Sequence, residues 1–316
     1  MLSKPELSKC SDRQSMPKKH PTGGSPEEWF RNEQLSENNL LGISFDFFIN
    51  WSATPFSLTP EIWIKRILET PYEYSDVLDN LQNIMATEFG LQYLTRLRDF
   101  SSLHLLTTRF IIFRDDYDWK NQTSSILIIT LTSNNLSDLQ YNAEIISIAD
   151  FKKLIQQHSG GPIQIGSKGL IYGTSNLECF LSRTDSLYPG DVDLILLDSQ
   201  NLPVAIIEFK KHTLSSSIDG QKLSNYYPFP DKRKYDRLAI LRDYLSRPNF
   251  TIPIIVIYYP TASASTEGIM ELIGGSAGEL HSLETFKFLL PVNQSKEQEA
   301  SIIKKGIEII EKYKSI

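Results

Sequence analysis

The spacing of apolar positions changes several times along the chain, and each change predicts an element. From Leu40 to about Leu105 the pattern is mainly helical. "YSDVLDNLQNIMATEFGLQYLTRLRDF" carries apolar residues at helical spacing, and "SLTPEIWIKRIL" opens so that Pro60 suits a first helical turn. Two β-branched and aromatic runs follow, "TTRFIIFRDD" and "SSILIITLTS". They are separated by the polar "DYDWKNQ" and predict a pair of strands. "AEIISIADFKKLIQQHSGG" predicts a short strand, then a helix ended by Gly160 and Gly161.

The second half alternates faster. "SNLECFLSR" reads as a helix, "DVDLILLD" as a strand, "SQNLP" as a turn and "VAIIEFK" as a strand. A polar loop, a helix over "DKRKYDRLAILRDYLS", a strand over "IPIIVIYY" and a terminal helix over "SKEQEASIIKKGIEIIEKYK" complete it. The terminal helix gathers Ile302, Ile303, Ile307, Ile310 and Tyr313 near one stripe, a core-facing pattern. Strands and helices mixed around a sheet predict an α/β class. No internal repeat stands out.

Residues 1–37 are rich in Ser, Pro, Lys, Glu and Asn and predict a disordered leader. This leaves an N-terminal α+β region over 38–150, a candidate for target specificity or partner binding, and a second domain over 151–316. The 316 residues are 41% hydrophobic and 22% charged, enough for a real core. There is no apolar leader segment and no run long enough to span a membrane, so a cytoplasmic protein without a membrane partner is expected. Cys10 and Cys179 are too few for a zinc site. With Cys10 in a polar leader, the expectation is two free thiols in a reducing compartment. A net charge of -6 argues against a wholly basic nucleic-acid coat but leaves room for a local basic face.

The chemistry concentrates in "YPGDVDLILLDSQNLPVAIIEFKKH", residues 188–212. Strand alternation puts Ile206, Glu208 and Lys210 on one face and Ala205, Ile207 and Phe209 on the other. A simple hairpin with Leu197 opposite Val204 sets Asp193 across from Glu208 and Asp191 across from Lys210. Directly opposed side chains have Cβ atoms roughly 4.5–5.5 Å apart, so two carboxylates there repel unless something neutralises them. Mg²⁺ does so with one or two carboxylates, waters and a substrate phosphate, and Mn²⁺ is the expected substitute. A lysine beside them orients water or stabilises charge developing on phosphorus.

At "PGDVD" followed by "EFK" the chain resembles the PD-(D/E)XK nuclease superfamily, the restriction-endonuclease-like fold. Asp193, Glu208 and Lys210 match its strand acid and E-x-K, and Glu178 in "SNLECFLSR" fits the acid that many members carry on the preceding helix. "PGD" stands where some members have Pro-Asp, which leaves Asp191 as a rival ligand. The resemblance covers about residues 165–260. It implies a mixed central sheet flanked by helices and a Mg²⁺-dependent endonuclease with Asp193 and Glu208 on the metal. It also implies a role in restriction, repair or defence, a DNA substrate with RNA as the other candidate, and a homodimer where both strands are cut. The competing expectation is a non-cleaving module on the same fold that binds nucleic acid or protein.

Between Glu208 and Phe250 nine Lys and Arg stand against five acids, with Tyr226, Tyr227, Phe229 and Tyr235 interleaved. Lys211, Lys232, Arg233 and Lys234 are the candidate phosphate contacts, and exposed aromatics suit base stacking. Tyr235 and the leucines of that helix suit the core. His158, His212 and His281 lack zinc spacing, and "GGSAGE" lacks the Gly-Lys-Ser/Thr of a P-loop.

Overall fold

The β-branched runs become strands, and in each of two units these strands form a mixed sheet. The structure, a computed structural model, describes all residues except 16–22, 122, 133–138, 164–168, 249, 262–264, 292–294 and 315–316. The first unit comprises Met1–Pro17 and Phe45–Asp191, and the second comprises Lys18–Ser44 and Val192–Ile316.

In chain order, β1 (Leu2–Ser3) and β2 (Ser8–Lys9) precede α1 (Pro26–Trp29) and α2 (Asn32–Ser36). Then come β3 (Leu41–Asn50), β4 (Ser57–Leu68), α3 (Tyr74–Asp79), α4 (Leu81–Phe89) and α5 (Leu91–Leu103). β5 (Thr107–Phe113), β6 (Ser125–Thr132), β7 (Gln140–Ser147), α6 (Ile148–Ser159), β8 (Tyr172–Gly173) and α7 (Asn176–Leu181) complete the first unit. The second unit continues with β9 (Gly190–Leu197), β10 (Pro203–His212), α8 (Lys232–Leu245) and β11 (Ile254–Pro260). It ends with β12 (Glu267–Gly274), β13 (His281–Leu289) and α9 (Lys296–Lys314).

The two units repeat one plan. In the first, β3 and β4 pair antiparallel, β4 and β5 parallel, and β5–β6 and β6–β7 antiparallel. In the second, β9–β10, β10–β11, β11–β12 and β12–β13 follow the same sequence of directions. A helix crosses before each parallel strand, as a parallel connection requires. A further helix follows each last strand. Phe151 and Ile155 of α6 pack with Trp63, Ile111 and Ile128. Ile302, Ile303, Ile309 and Ile310 of α9 pack with Ile207, Ile257 and Met270. Aligned on these helix-facing residues, Trp63 stands at the position of Ile207, Ile111 at Ile257 and Ile128 at Met270, and the ladders of both units agree with that alignment. The repeat lies in topology and not in residue identity, which is why the sequence hides it.

Several expectations change. "SLTPEIWIKRIL" is the long strand β4, not a helix. Its Ile62, Trp63 and Ile64 are buried between two neighbouring strands, a demand that β-branched and aromatic residues meet. Pro60 stands in the register shift of the β3–β4 ladder and ahead of the β4–β5 ladder, which starts at Glu61. Residues expected in a disordered leader form α1 and α2, whose Trp29 and Leu35 are fully buried in the second unit's core, while 16–22 lie outside the described residues. Cys10 and Cys179 are joined in a disulfide and are not free thiols. The predicted β5–β6 pair forms, and α6 ends at Gly160, whose φ of 81° suits glycine.

Candidate active site

The ladder between β9 and β10 pairs Ile207 with Leu194, Ile206 with Ile195 and Ala205 with Leu196. A bulge then sets Leu197 across from Pro203, where the simple hairpin has Val204. One step beyond the last pair, the same register puts Asp193 opposite Glu208. Asp193 accepts the Phe209 N–H at its Oδ2 (2.7 Å). Glu208 is fully buried on the strand face that α8 covers. Lys234 of α8 brings its Nζ to 2.5 Å from Glu208 Oε1, an ion pair outside hydrogen-bond alignment. Neither oxygen of Glu208 has a hydrogen-bond partner among the described residues. Burial, reinforced by the charge of Glu208, pushes the phenol of the adjacent Tyr235 up.

Lys210, two residues on, reaches Asp231 at the start of α8, with Nζ 2.5 Å from Oδ2. Its ammonium also lies over the Tyr226 ring, 4.7 Å from the centroid. That ring is stacked on Tyr258, 5.9 Å between centroids, and the Tyr258 hydroxyl donates to Glu271 (2.7 Å). The fully buried Glu271 also accepts the Leu223 N–H (2.7 Å), which pins the loop that carries Tyr226. The sequence reading assigned no role to Glu271, Tyr258 or Asp231. The available signal was a lone acid in the apolar run "GIMELIGG".

The other predicted residues are placed as follows. Glu178 belongs to the first unit, on α7, where it accepts the Thr174 N–H (2.8 Å) and pairs with Lys65. Lys65 also stands 3.5 Å from Asp46. Burial, opposed by Lys65 and reinforced by Glu178 and Asp191, pushes the Asp46 carboxyl up to about 7. Asp191 is thus tied to this first-unit group. In the second unit, burial lowers the pKa of Lys211, and burial together with Arg237 lowers that of Arg233 to about 10. Lys232 pairs with Asp236 and lies over Tyr227, while Lys234 is turned to Glu208. His212 is buried, its Nε2 2.9 Å from the Ser216 carbonyl.

The repeated plan supplies an internal comparison. Following the ladders, the positions of Asp193, Glu208, Lys210, Tyr258 and Glu271 are held in the first unit by Phe45, Ile64, Arg66, Ile112 and Ile129. Phe45 packs on Phe100 of α5, the helix that corresponds to α8. The two acid positions are thus apolar in the first unit, while the lysine position stays basic, with Arg66 paired to Glu88. The first unit buries acids at other positions, Asp46 and Glu61 among them, where imperfect pairing of a carboxylate costs several kcal/mol.

Among the described residues, no group of three or more His, Cys, Asp or Glu is arranged to hold a metal ion. Mg²⁺ needs fewer protein ligands, because water and phosphate complete its shell. In this structure the wholly buried Glu208 is paired with Lys234 and Asp193 Oδ2 takes the Phe209 N–H, so an ion at these two carboxylates would have to displace Lys234. No helix among the described residues is long and apolar enough to cross a membrane. Compared with known proteins, the chain matches no family model, no curated protein sequence and no solved structure.

Proposed function

We propose that the second unit is a metal-dependent nuclease domain of restriction-endonuclease-like type that hydrolyses phosphodiester bonds, with DNA as substrate. The observation that carries this reading is the contrast between Phe45 and Ile64 in one unit and Asp193 and Glu208 in the other, with a basic residue, Arg66 or Lys210, two positions on in both. Apolar residues fill the two acid positions in the first unit, which supports a chemical use for Asp193 and Glu208. The order hairpin, helix, parallel strand around "D…E-x-K" also supports it. Asp193 and Glu208 would hold Mg²⁺ or Mn²⁺, and a bound ion would supply a Lewis acid and an activated water. Lys210, two residues on from Glu208 and held between Asp231 and Tyr226, would supply the positive charge that stabilises charge developing on phosphorus. The α8 cover excludes water behind Glu208.

A second reading, a non-cleaving module on the same fold, is favoured by the ion pairs Lys234–Glu208 and Lys210–Asp231, which engage both ends of E-x-K within the chain. Incubation with duplex DNA, single-stranded DNA and RNA in Mg²⁺ or Mn²⁺ separates the two. The nuclease reading expects cleavage by the wild type, none in EDTA, and loss of at least about 100-fold in Asp193→Asn and Lys210→Ala. Binding without cleavage of any substrate selects the module.

A further inference from the structure

The loop from Gln221 to Asp231 lies between the E-x-K strand and α8, and its aromatic side chains divide into two kinds. Three tyrosines in or beside it are engaged internally. The Tyr226 hydroxyl donates to Gln221 (2.5 Å) and its ring stacks on Tyr258. The Tyr227 hydroxyl donates to Asp236 (2.9 Å), and Tyr235 is buried. Phe229 is the opposite case. It is 82% exposed and makes no ring contact among the described residues.

The exposed ring is held on a fixed support. Pro228 and Pro230 flank it and restrict the backbone on both sides. The Asp231 N–H donates to the Tyr226 carbonyl (2.8 Å), which closes the loop beneath Phe229. The Tyr226 and Tyr227 N–H groups both donate to the Leu223 carbonyl, and the Leu223 N–H is held by Glu271. The residue that closes the loop, Asp231, is also the one that holds Lys210. Phe229 therefore stands two residues from the partner of the candidate catalytic lysine. Lys222 is exposed in the same loop, while Lys232 pairs with Asp236 and Lys210 with Asp231.

We infer that Phe229 is a stacking platform for an unpaired nucleobase of the substrate strand. One ring face matches one base in size. A protein partner would need a far larger contiguous patch, on the order of 800 Å² per side. The base must be unpaired, because a base stacked within a duplex has no free face to offer. The exposed Lys222 of the same loop suits a phosphate of the same strand. The inference rests on the nuclease reading for its place beside Lys210, and it adds to that reading a preference for single-stranded, gapped or frayed substrate.

The test uses the full chain in EDTA, so that binding is read without cleavage. The probes are a labelled oligothymidylate, a blunt duplex, and a strand carrying one 2-aminopurine. Phe229→Ala is expected to weaken oligothymidylate binding roughly 5- to 100-fold. Duplex affinity should change less than about twofold, and the stacking quench of 2-aminopurine should disappear. Phe229→Trp should restore both signals, which a loss through misfolding would not allow. Undiminished single-strand binding by Phe229→Ala overturns the inference, as does an equal loss on both probes or no binding by the wild type. Phe229-dependent binding by a protein that never cleaves would end the nuclease reading and leave the platform standing. Cleavage with unchanged binding in Phe229→Ala would do the reverse.

Discussion

Replacing the buried acid with the residue its counterpart carries should stabilise the protein. The variant is Glu208→Ile with Lys234→Met, which turns the ion pair into an apolar pair on the pattern of Ile64. At 2.5 Å and an effective dielectric near 20, the present pair gains roughly 7 kcal/mol of Coulomb energy. Desolvation costs several kcal/mol per ion. The cost is greatest for Glu208, which is wholly buried, and smaller for Lys234, whose side chain keeps 28% of its exposure. The two effects nearly cancel, so the pair contributes little net stability. An isoleucine in the same place adds about 1.5–3 kcal/mol of apolar burial. The expected gain is about 1–3 kcal/mol, read by calorimetry as a rise of about 2–4 °C per kcal/mol for a unit of this size. Metal-dependent cleavage should vanish at the same time. Destabilisation by more than about 2 kcal/mol would show that Glu208 is a structural residue, and the argument from the repeated plan would fall with it.

Two further outcomes test the first unit. Burial, with Arg109 nearby, lowers the His158 pKa to about 4, so the imidazole is neutral in the folded protein where an unfolded histidine still binds a proton. Its contribution to stability is complete above about 6.5 and is lost as pH falls towards 4. Histidine NMR titration should show one ring still neutral at pH 5.5, absent in His158→Gln, and a full set of shifts near 6.5 would contradict this. The Cys10–Cys179 bond closes a separation of 169 residues, so Cys10→Ser or added reductant should cost about 2–4 kcal/mol. An unchanged melting temperature in reductant would show that the bond contributes nothing.

Where one local rule dominates, the sequence alone reads correctly. The apolar stripe of α9, the Gly160 stop and the hairpin ladder from Leu194 to Ile207 needed only period and turn chemistry. β4 was misread because Pro60 carries a strong helix-start signal, and only the β3 and β5 neighbours show that it sits in a register shift. Trp29 and Leu35 were hidden by a polar setting, since two apolar residues among charges do not announce a core position more than a hundred residues away. Within the candidate site, Asp193, Glu208 and Lys210 were legible from alternation. Asp231 and Glu271 were not, and Lys234 was read as a phosphate contact and not as the partner of Glu208, because tertiary ion pairs and hydrogen bonds leave no trace in spacing. Glu178 carried the right interval but belongs to the group around Lys65.

The division of the chain also sets an order of events during synthesis. Trp29, Phe30 and Leu35 belong to the core that includes Ile302 and Ile310. At roughly 5–20 residues per second, they leave the ribosome about 15 to 50 seconds before α9. All of the first unit's residues, through Asp191, are made before most of the second unit exists. The early segment must wait, apolar and unpaired, for partners not yet translated. A fragment started at Val192 would lack these side chains altogether. Any attempt to produce the second unit alone therefore has to supply residues 23–44, joined or added in trans.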